Sequence, residues 1–164
     1  MKRILSLLLC LLLLLGCGSS AQSVYEHPAF TASLPEPFEP VSGVQMICFA
    51  PYGDPLLSSS ITFSATELNW YFDQFTDGEY ESALKALCGY DSLTLLEKTP
   101  CKVDGYDAYR IACKVDLEQG THDLILYAIA ADRTYFFTLL NREGDAYIDA
   151  FDTMIQSVRF KEGA

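Results

Sequence analysis

The most constraining feature of this sequence is the segment from Leu124 to Ala131, in which every residue is apolar. Its length suits a β-strand, but a strand with one buried face alternates apolar and polar residues, and this one does not. We therefore expect both faces of the strand to be buried, with helices covering both sides of the surrounding sheet. This favours three layers and argues against a two-sheet sandwich or a barrel.

The sequence predicts two successive β-hairpins, and this segment is the first strand of the second one. Asp104 and Gly105 form the predicted turn of the first, and Asp132 and Arg133 form that of the second, because such short polar pairs are typical of tight turns. Shorter strands precede the hairpins, and prolines end the first two of them. The predicted strands are Ala29 to Leu34, Val44 to Phe49, Ser60 to Phe63, Leu93 to Val103, Tyr106 to Leu117, Asp123 to Ala131 and Thr134 to Asn141.

The remaining apolar patterns predict helices. Capping boxes, formed by Ser64 with Glu67 and by Thr76 with Glu79, begin a helical pair or one kinked helix. Gly89 ends this segment. The apolar residues at helical spacing are Leu68, Tyr71, Phe72 and Phe75, then Tyr80, Leu84 and Leu87. A C-terminal helix is predicted with Asp145 as its N-cap and an apolar face formed by Ile148, Phe151, Ile155 and Val158.

The N-terminus has the layout of an export signal. Lys2 and Arg3 precede an apolar run from Ile4 to Leu15. A helix that spans the hydrocarbon core of a membrane needs about 20 apolar residues. The run is shorter than this and ends in glycine and serine, so we expect a cleaved signal and no membrane span.

Leu14, Leu15, Gly16 and Cys17 resemble the lipobox of bacterial lipoproteins, in which the cysteine receives a diacylglyceryl group before cleavage. The resemblance implies a lipoprotein signal peptide at 1–16 and a lipid-anchored linker at 17–27. The remaining length suits a single α/β domain at 28–161. The protein would then be extracytoplasmic and bound to the bacterial membrane by fatty acids such as palmitate on Cys17. The alternative is an ordinary secretory signal that contains this cysteine.

The charge of the chain limits its partners. Without Lys2 and Arg3, the 11 basic residues become nine against 22 acidic ones, and the formal charge falls from −11 to −13. Nucleic acid is therefore excluded as an expected partner, because its recognition depends on basic side chains.

Four cysteines remain in the predicted domain, and in an exported protein they permit three disulfide pairings. The simplest register of the first hairpin places Cys101 opposite Ala108 and on the other face from Cys113, which excludes that pair unless a bulge at Pro100 shifts the register. Small buried thiols are the alternative. The four residues are Cys48, Cys88, Cys101 and Cys113.

The order of elements resembles the Mog1/PsbP-like domains, including the bacterial lipoproteins of that superfamily. The resemblance rests on Phe30 to Pro35 as opening strand, on the turn Val103-Asp104-Gly105 and on the closing Ser157 to Phe160. It covers about Pro28 to Lys161 and implies an α+β fold, an antiparallel sheet of about six strands flanked by helices. Family members act mainly as accessory or binding subunits in unrelated settings, so no binding residue is transferred.

The sequence offers little for catalysis or metal binding. His27 and His122 are its two histidines, and no two cysteines have C-x-x-C spacing. The acidic run from Asp73 to Glu81 lacks the spacing of a calcium loop and is better explained as an acidic helix start. We therefore predict no catalytic residue, no cofactor and no metal ligand.

Trp70 lies off the apolar stripe of its predicted helix and is a candidate partner-binding residue. Tyr52 and Leu56 in the proline-rich loop would extend the same patch. These observations favour a membrane-anchored, non-catalytic binding or accessory module of the cell envelope, with a protein or small ligand as partner. The alternative is a carboxylate-based hydrolase or a metal-dependent enzyme whose groups meet only in three dimensions.

Overall fold

A computed structural model describes residues 23–44, 46–52, 55, 58–67 and 76–161. These residues form ten strands and two helices. The strands are β1 (Val24–Glu26), β2 (Phe30–Ser33), β3 (Phe38–Pro40), β4 (Ile47–Pro51), β5 (Ser60–Thr66), β6 (Thr94–Val103), β7 (Tyr106–Leu117), β8 (Gly120–Ala130), β9 (Thr134–Asn141) and β10 (Arg159–Phe160). The helices are α1 (Asp77–Cys88) and α2 (Ile148–Ser157).

The main sheet has seven antiparallel strands in the order β3-β4-β5-β9-β8-β7-β6. The two predicted hairpins are present, and they form its centre and one edge. Leu124 to Ile129 in β8 are all buried, which confirms that this strand is covered on both faces. The predicted α+β class is confirmed, although the sheet has seven strands where about six were expected.

A second sheet of three strands has the order β1-β2-β10. Its first strand, Val24–Glu26, lies within the segment 17–27 that the sequence predicts as linker. Strands β1, β3 and β10 have only two or three residues each. Segments this short cannot show a period of two, so the sequence pattern gave no signal for them.

Two apolar cores lie on opposite faces of the main sheet. One contains β2, α2 and the sheet residues on the same side, such as Phe63, Tyr127 and Phe137. The other packs Tyr80 and Leu84 of α1 against Ile111, Cys113 and Leu126. The structure thus has the three layers expected from the apolar strand.

Helix α1 begins as its sequence predicts. Thr76 accepts a hydrogen bond from the Glu79 N–H, and the Glu79 carboxylate accepts one from the Thr76 N–H. Gly89 ends the helix in the left-handed conformation, with φ of 73°, which glycine adopts without steric cost. None of the helices in the described ranges is long and apolar enough to cross a membrane.

Two predicted caps are wrong. Ser64 lies inside β5, because the alternation of Ile61 and Phe63 with hydroxyl residues continues the strand past the predicted end. Asp145 is not the N-cap of α2; Tyr147 occupies that position without a side-chain hydrogen bond. The carbonyl of Asp145 accepts instead from the Ile148 N–H in a turn before the helix. The helical pattern from Leu68 to Phe75 lies outside the described residues.

Candidate functional site

A groove of about 320 Å³ opens on the α1 side of the main sheet, over β5 and β9. This volume falls at the lower end of small-molecule sites. Its floor comes from the sheet, and the last turn of α1 and the residues after it form one wall. The described lining residues used below are Ser60, Thr62, Ser64, Thr138, Leu140, Leu87, Cys88 and Tyr90.

The floor carries a row of hydroxyl groups because β5 alternates strictly. Ile61 and Phe63 point into the core beneath the sheet, so Ser60, Thr62 and Ser64 face the groove. Thr62 lies directly opposite Thr138 of β9, which adds another hydroxyl on the same face. We refer to Ser60, Thr62, Ser64 and Thr138 as the hydroxyl row.

None of the four side chains in the hydroxyl row makes a hydrogen bond to another described residue. Ser60 is the most enclosed, with 8% of its surface exposed. Neighbouring Ser59 behaves differently: its hydroxyl contacts Asn141 Oδ1 at 3.1 Å and accepts from the Arg142 N–H at 2.9 Å. Thr62 and Thr138 are half-buried and Ser64 is exposed, so these hydroxyls are open to the groove and can bond a ligand there.

The α1 wall places a thiol and a phenol beside the row. Burial raises the pKa of Cys88 to about 11 and also raises the pKa of Tyr90. Both groups are therefore protonated at neutral pH. A protonated thiol is a poor nucleophile, whereas a phenol can still donate a hydrogen bond.

The carboxylates whose pKa is shifted are elsewhere, and in the described part of the chain each shift is downward. A hydrogen bond from the Thr76 N–H lowers the pKa of Glu79, and one from the Leu95 N–H lowers that of Glu81. Burial opposes the shift at Asp132, but hydrogen bonds from Tyr135 and Arg133 outweigh it. These groups are stabilised as anions and are poorly suited to act as proton donors.

The predicted partner-binding residues are only partly described. Tyr52 is 86% exposed and has φ of 55°, which is unusual for a bulky residue. Trp70 and Leu56 lie outside the described residues, as does Cys17.

Both histidines lie among residues of the fold and away from the groove. The ring of His27 lies 4.8 Å from that of Phe30 and 5.1 Å from that of Phe63, and its Nδ1 accepts from the Ala29 N–H. Burial lowers the pKa of His27. His122 is half-buried in β8, opposite Val115. Neither lines the groove.

The four cysteines of the domain are free thiols. Cys101 pairs in register with Ala108, as the hairpin predicts, and the irregularity in β6 lies between Leu95 and Glu97 and not at Pro100. Cys48 and Cys113 are buried, and Cys88 and Cys101 are half-buried. The sequence leaves open disulfides or small buried thiols, and the structure has free thiols.

The sequence interpretation missed the hydroxyl row. The signal was present as Ser60-Ile-Thr-Phe-Ser-Ala-Thr66, a strand pattern with hydroxyls at every second position. Reading Ser64 as a helix cap ended the strand too early and hid the alternation.

No protein-family model matches this chain, and no curated protein does. Solved structures do match. Cyanobacterial PsbP (CyanoP) from Synechocystis sp. PCC 6803 aligns with a TM-score of 0.64 at 14% identity, over 89% of this chain and 96% of that one. The chain therefore has a PsbP-like fold, and the resemblance seen in the sequence is confirmed at the level of fold.

Two further structures support the same architecture. LpqN of Mycobacterium tuberculosis, described as involved in cell envelope biogenesis, aligns with a TM-score of 0.54 at 9% identity, over 85% of this chain and 90% of that one. A protein from Bacteroides thetaiotaomicron aligns with a TM-score of 0.52 at 15% identity, over 86% of this chain and 49% of that one. At such identities the likeness establishes the fold alone.

Proposed function

We propose that this protein is a lipid-anchored, extracytoplasmic lipoprotein that acts as a non-catalytic binding or accessory module of the bacterial cell envelope. The observation that carries the binding role is the groove, which combines unpaired hydroxyls with apolar walls and a protonated thiol. Such a lining can hold a ligand by hydrogen bonds and apolar contact.

The setting is supported by two features. The sequence around Cys17 resembles a lipobox, and an anchor with two acyl chains is stable at about 0.8 kcal/mol per buried CH₂. LpqN, which has the same fold, is described as involved in cell envelope biogenesis. An accessory role in the envelope agrees with both.

The enzymatic alternative has less support. A hydrolase that uses two carboxyl groups needs one of them protonated, and burial or a like charge raises the pKa of such a group. Glu79, Glu81 and Asp132 have lowered pKa values and do not line the groove. The groove thiol, Cys88, is held neutral.

The anchor can be tested by replacing Cys17 with serine in a bacterial host that processes lipoproteins. Cys10→Ser is a matched control, because Cys10 lies in the same apolar run but outside the lipobox. We expect wild type and Cys10→Ser to incorporate a palmitate analogue and Cys17→Ser to incorporate none. The readout is in-gel fluorescence of the labelled protein, with its mass confirming cleavage before Cys17. Equal labelling of Cys17→Ser and wild type would show that the anchor is not at this residue.

A protein partner, if present, should meet the exposed Tyr52 loop. A photo-crosslinking residue at position 52 is expected to give a discrete adduct on intact cells. Position 96 is a suitable control, since Leu96 is also exposed, at 58%, but lies on β6 at the opposite edge of the sheet. The same adducts from both positions would indicate random contacts and remove Tyr52 from the proposal.

A further inference from the structure

We propose that the groove binds a small, uncharged, hydroxyl-rich molecule of the size of a single sugar ring. This inference rests on the proposed binding function and specifies its ligand class.

The charge of the ligand follows from the lining. The described residues around the groove are apolar or carry hydroxyl, thiol or phenol groups, and none of these residues is charged. Transferring an ion into such surroundings is costly unless an opposite charge compensates it. The protonated states of Cys88 and Tyr90 keep this wall neutral at physiological pH. The described lining therefore suits a neutral ligand better than an anion or a cation.

The polarity of the ligand follows from the hydroxyl row. A serine or threonine hydroxyl can donate one hydrogen bond and also accept others, so a row of them suits partners that do the same, which hydroxyl groups do. Ser60, Thr62 and Ser64 follow one another at alternate positions of β5, roughly 7 Å apart along the strand. They offer several contacts along one edge of a ligand.

Apolar side chains complete the groove around the hydroxyl row. Leu87 approaches from α1, and Leu140 of β9 lies in the floor directly beside Ser60. Tyr90 adds an aromatic ring. A sugar ring has hydroxyl groups around its rim and C–H groups on its faces, so it matches a cavity with a hydroxyl edge and apolar walls.

The hydroxyl row is also poorly explained by stability. The neighbouring strands present leucine, alanine and phenylalanine on the same face, at Leu124, Ala128 and Phe136. A half-buried threonine without a partner, such as Thr62, gains less from burial than valine would. Residues of this kind are typical of sites where stability is lost for the sake of binding.

The test uses the full chain, produced with its lipid and held in phosphatidylcholine nanodiscs. Saturation-transfer NMR is recorded with four uncharged probes, D-glucose, D-galactose, N-acetyl-D-glucosamine and myo-inositol. D-glucuronate and D-glucosamine are charged controls of nearly the same shape. We expect transfer to at least one uncharged probe and weaker transfer to the charged analogues.

Substitutions then locate the site. Thr62→Val and Ser60→Ala each remove a hydroxyl from the row, whereas Thr31→Val makes the same change in β2, outside the groove. We expect the first two to weaken binding about five-fold each, which corresponds to one lost hydrogen bond, and Thr31→Val to have no effect. The melting temperature of Thr62→Val should equal or exceed that of wild type, which separates a binding role from a structural one.

Three results would overturn the inference: no transfer to any uncharged probe, equal transfer to the charged analogues, or unchanged binding in both Thr62→Val and Ser60→Ala. Each of these leaves the Cys17 labelling result untouched, so failure of the ligand class is distinguishable from failure of the anchor.

Discussion

The thiol of Cys88 sits at the wall of the groove, half-buried at the end of α1. Burial raises its pKa from 9.0 to about 11, so the neutral form is favoured in the folded state. At pH 8 the thiolate fraction is about 100-fold smaller than for an unperturbed cysteine, since each pKa unit is a factor of ten. Iodoacetamide should therefore modify Cys88 about 100-fold more slowly in the native protein than in urea, as followed by peptide mass spectrometry.

The raised pKa of Cys88 also determines how the stability of the fold changes with pH. Because the folded pKa lies above the unfolded value, the contribution of Cys88 to stability is complete below about pH 9 and is lost as the pH rises towards 11. Native labelling at the rate found in urea would contradict the burial of this thiol.

Asp152 of α2 joins the helix to the sheet. Its carboxylate accepts from Arg110 Nε at 3.1 Å and from the Tyr127 hydroxyl at 2.9 Å, and Arg110 Nη2 lies 3.0 Å from it. Asp152→Asn should lower the free energy of unfolding by about 2 kcal/mol, because charge-assisted hydrogen bonds among half-buried groups are lost. Urea denaturation followed by circular dichroism measures this change.

An exposed ion pair provides the comparison. Asp107 contacts Lys102 at 2.8 Å, but 86% and 66% of these side chains are exposed. Asp107→Asn should change the free energy of unfolding by less than about 0.5 kcal/mol. Equal effects of the two substitutions would mean that Asp152 does not hold α2 in place.

At the scale of elements, the start of α1 depends on its capping box. Thr76→Ala removes the side-chain acceptor for the Glu79 N–H and should destabilise the protein by about 1 kcal/mol. Ser82→Ala is a control on the same helix. Among the described residues the Ser82 hydroxyl donates to the Gly78 carbonyl alone, and alanine is the better helix former. Thermal denaturation at pH 7 compares the stability of wild type, Thr76→Ala and Ser82→Ala.

Acid should reduce the difference between wild type and Thr76→Ala. The pKa of Glu79 is lowered in the folded state, so its contribution is present above the unfolded value near 4.5 and is lost as the pH falls through the folded pKa. Melts repeated at pH 3 should therefore show a smaller gap than at pH 7. Alanine at position 76 keeps the backbone N–H that Glu79 accepts, but it loses the hydrogen bond that Thr76 Oγ1 donates to the Glu79 carboxylate at 2.8 Å. A constant gap would show that this side-chain bond contributes nothing.

The elements that sequence predicts well are those with repeated local signals. Strands β7 and β9 have the predicted bounds, because β7 alternates over much of its length, β9 is rich in aromatic residues and leucine, and turn residues flank both. The capping box of α1 is also predictable, because Thr76 and Glu79 are only three residues apart in the sequence. Asp145 failed as a cap because aspartate also favours turns, and the sequence does not say which of the two roles the chain adopts.

At the scale of the whole molecule, the apolar run from Leu124 to Ala131 predicts three layers, and the structure has them. The groove is not predictable in the same way. It depends on how closely α1 approaches β5 and β9, and this distance results from the packing of separate layers. The alternation in β5 could have identified the hydroxyls, but not the space above them.

The two sheets also determine how the domain is presented to its surroundings. Strand β1 enters the layer that contains β2 and α2, whereas the groove lies on the α1 side, so the main sheet separates the N-terminal end of the described domain from the groove. If Cys17 carries the lipid, the six residues between it and Val24 form a linker that spans at most about 25 Å when fully extended. The domain would then stay close to the bilayer, and its groove could receive molecules from the aqueous side without competition from its own anchor.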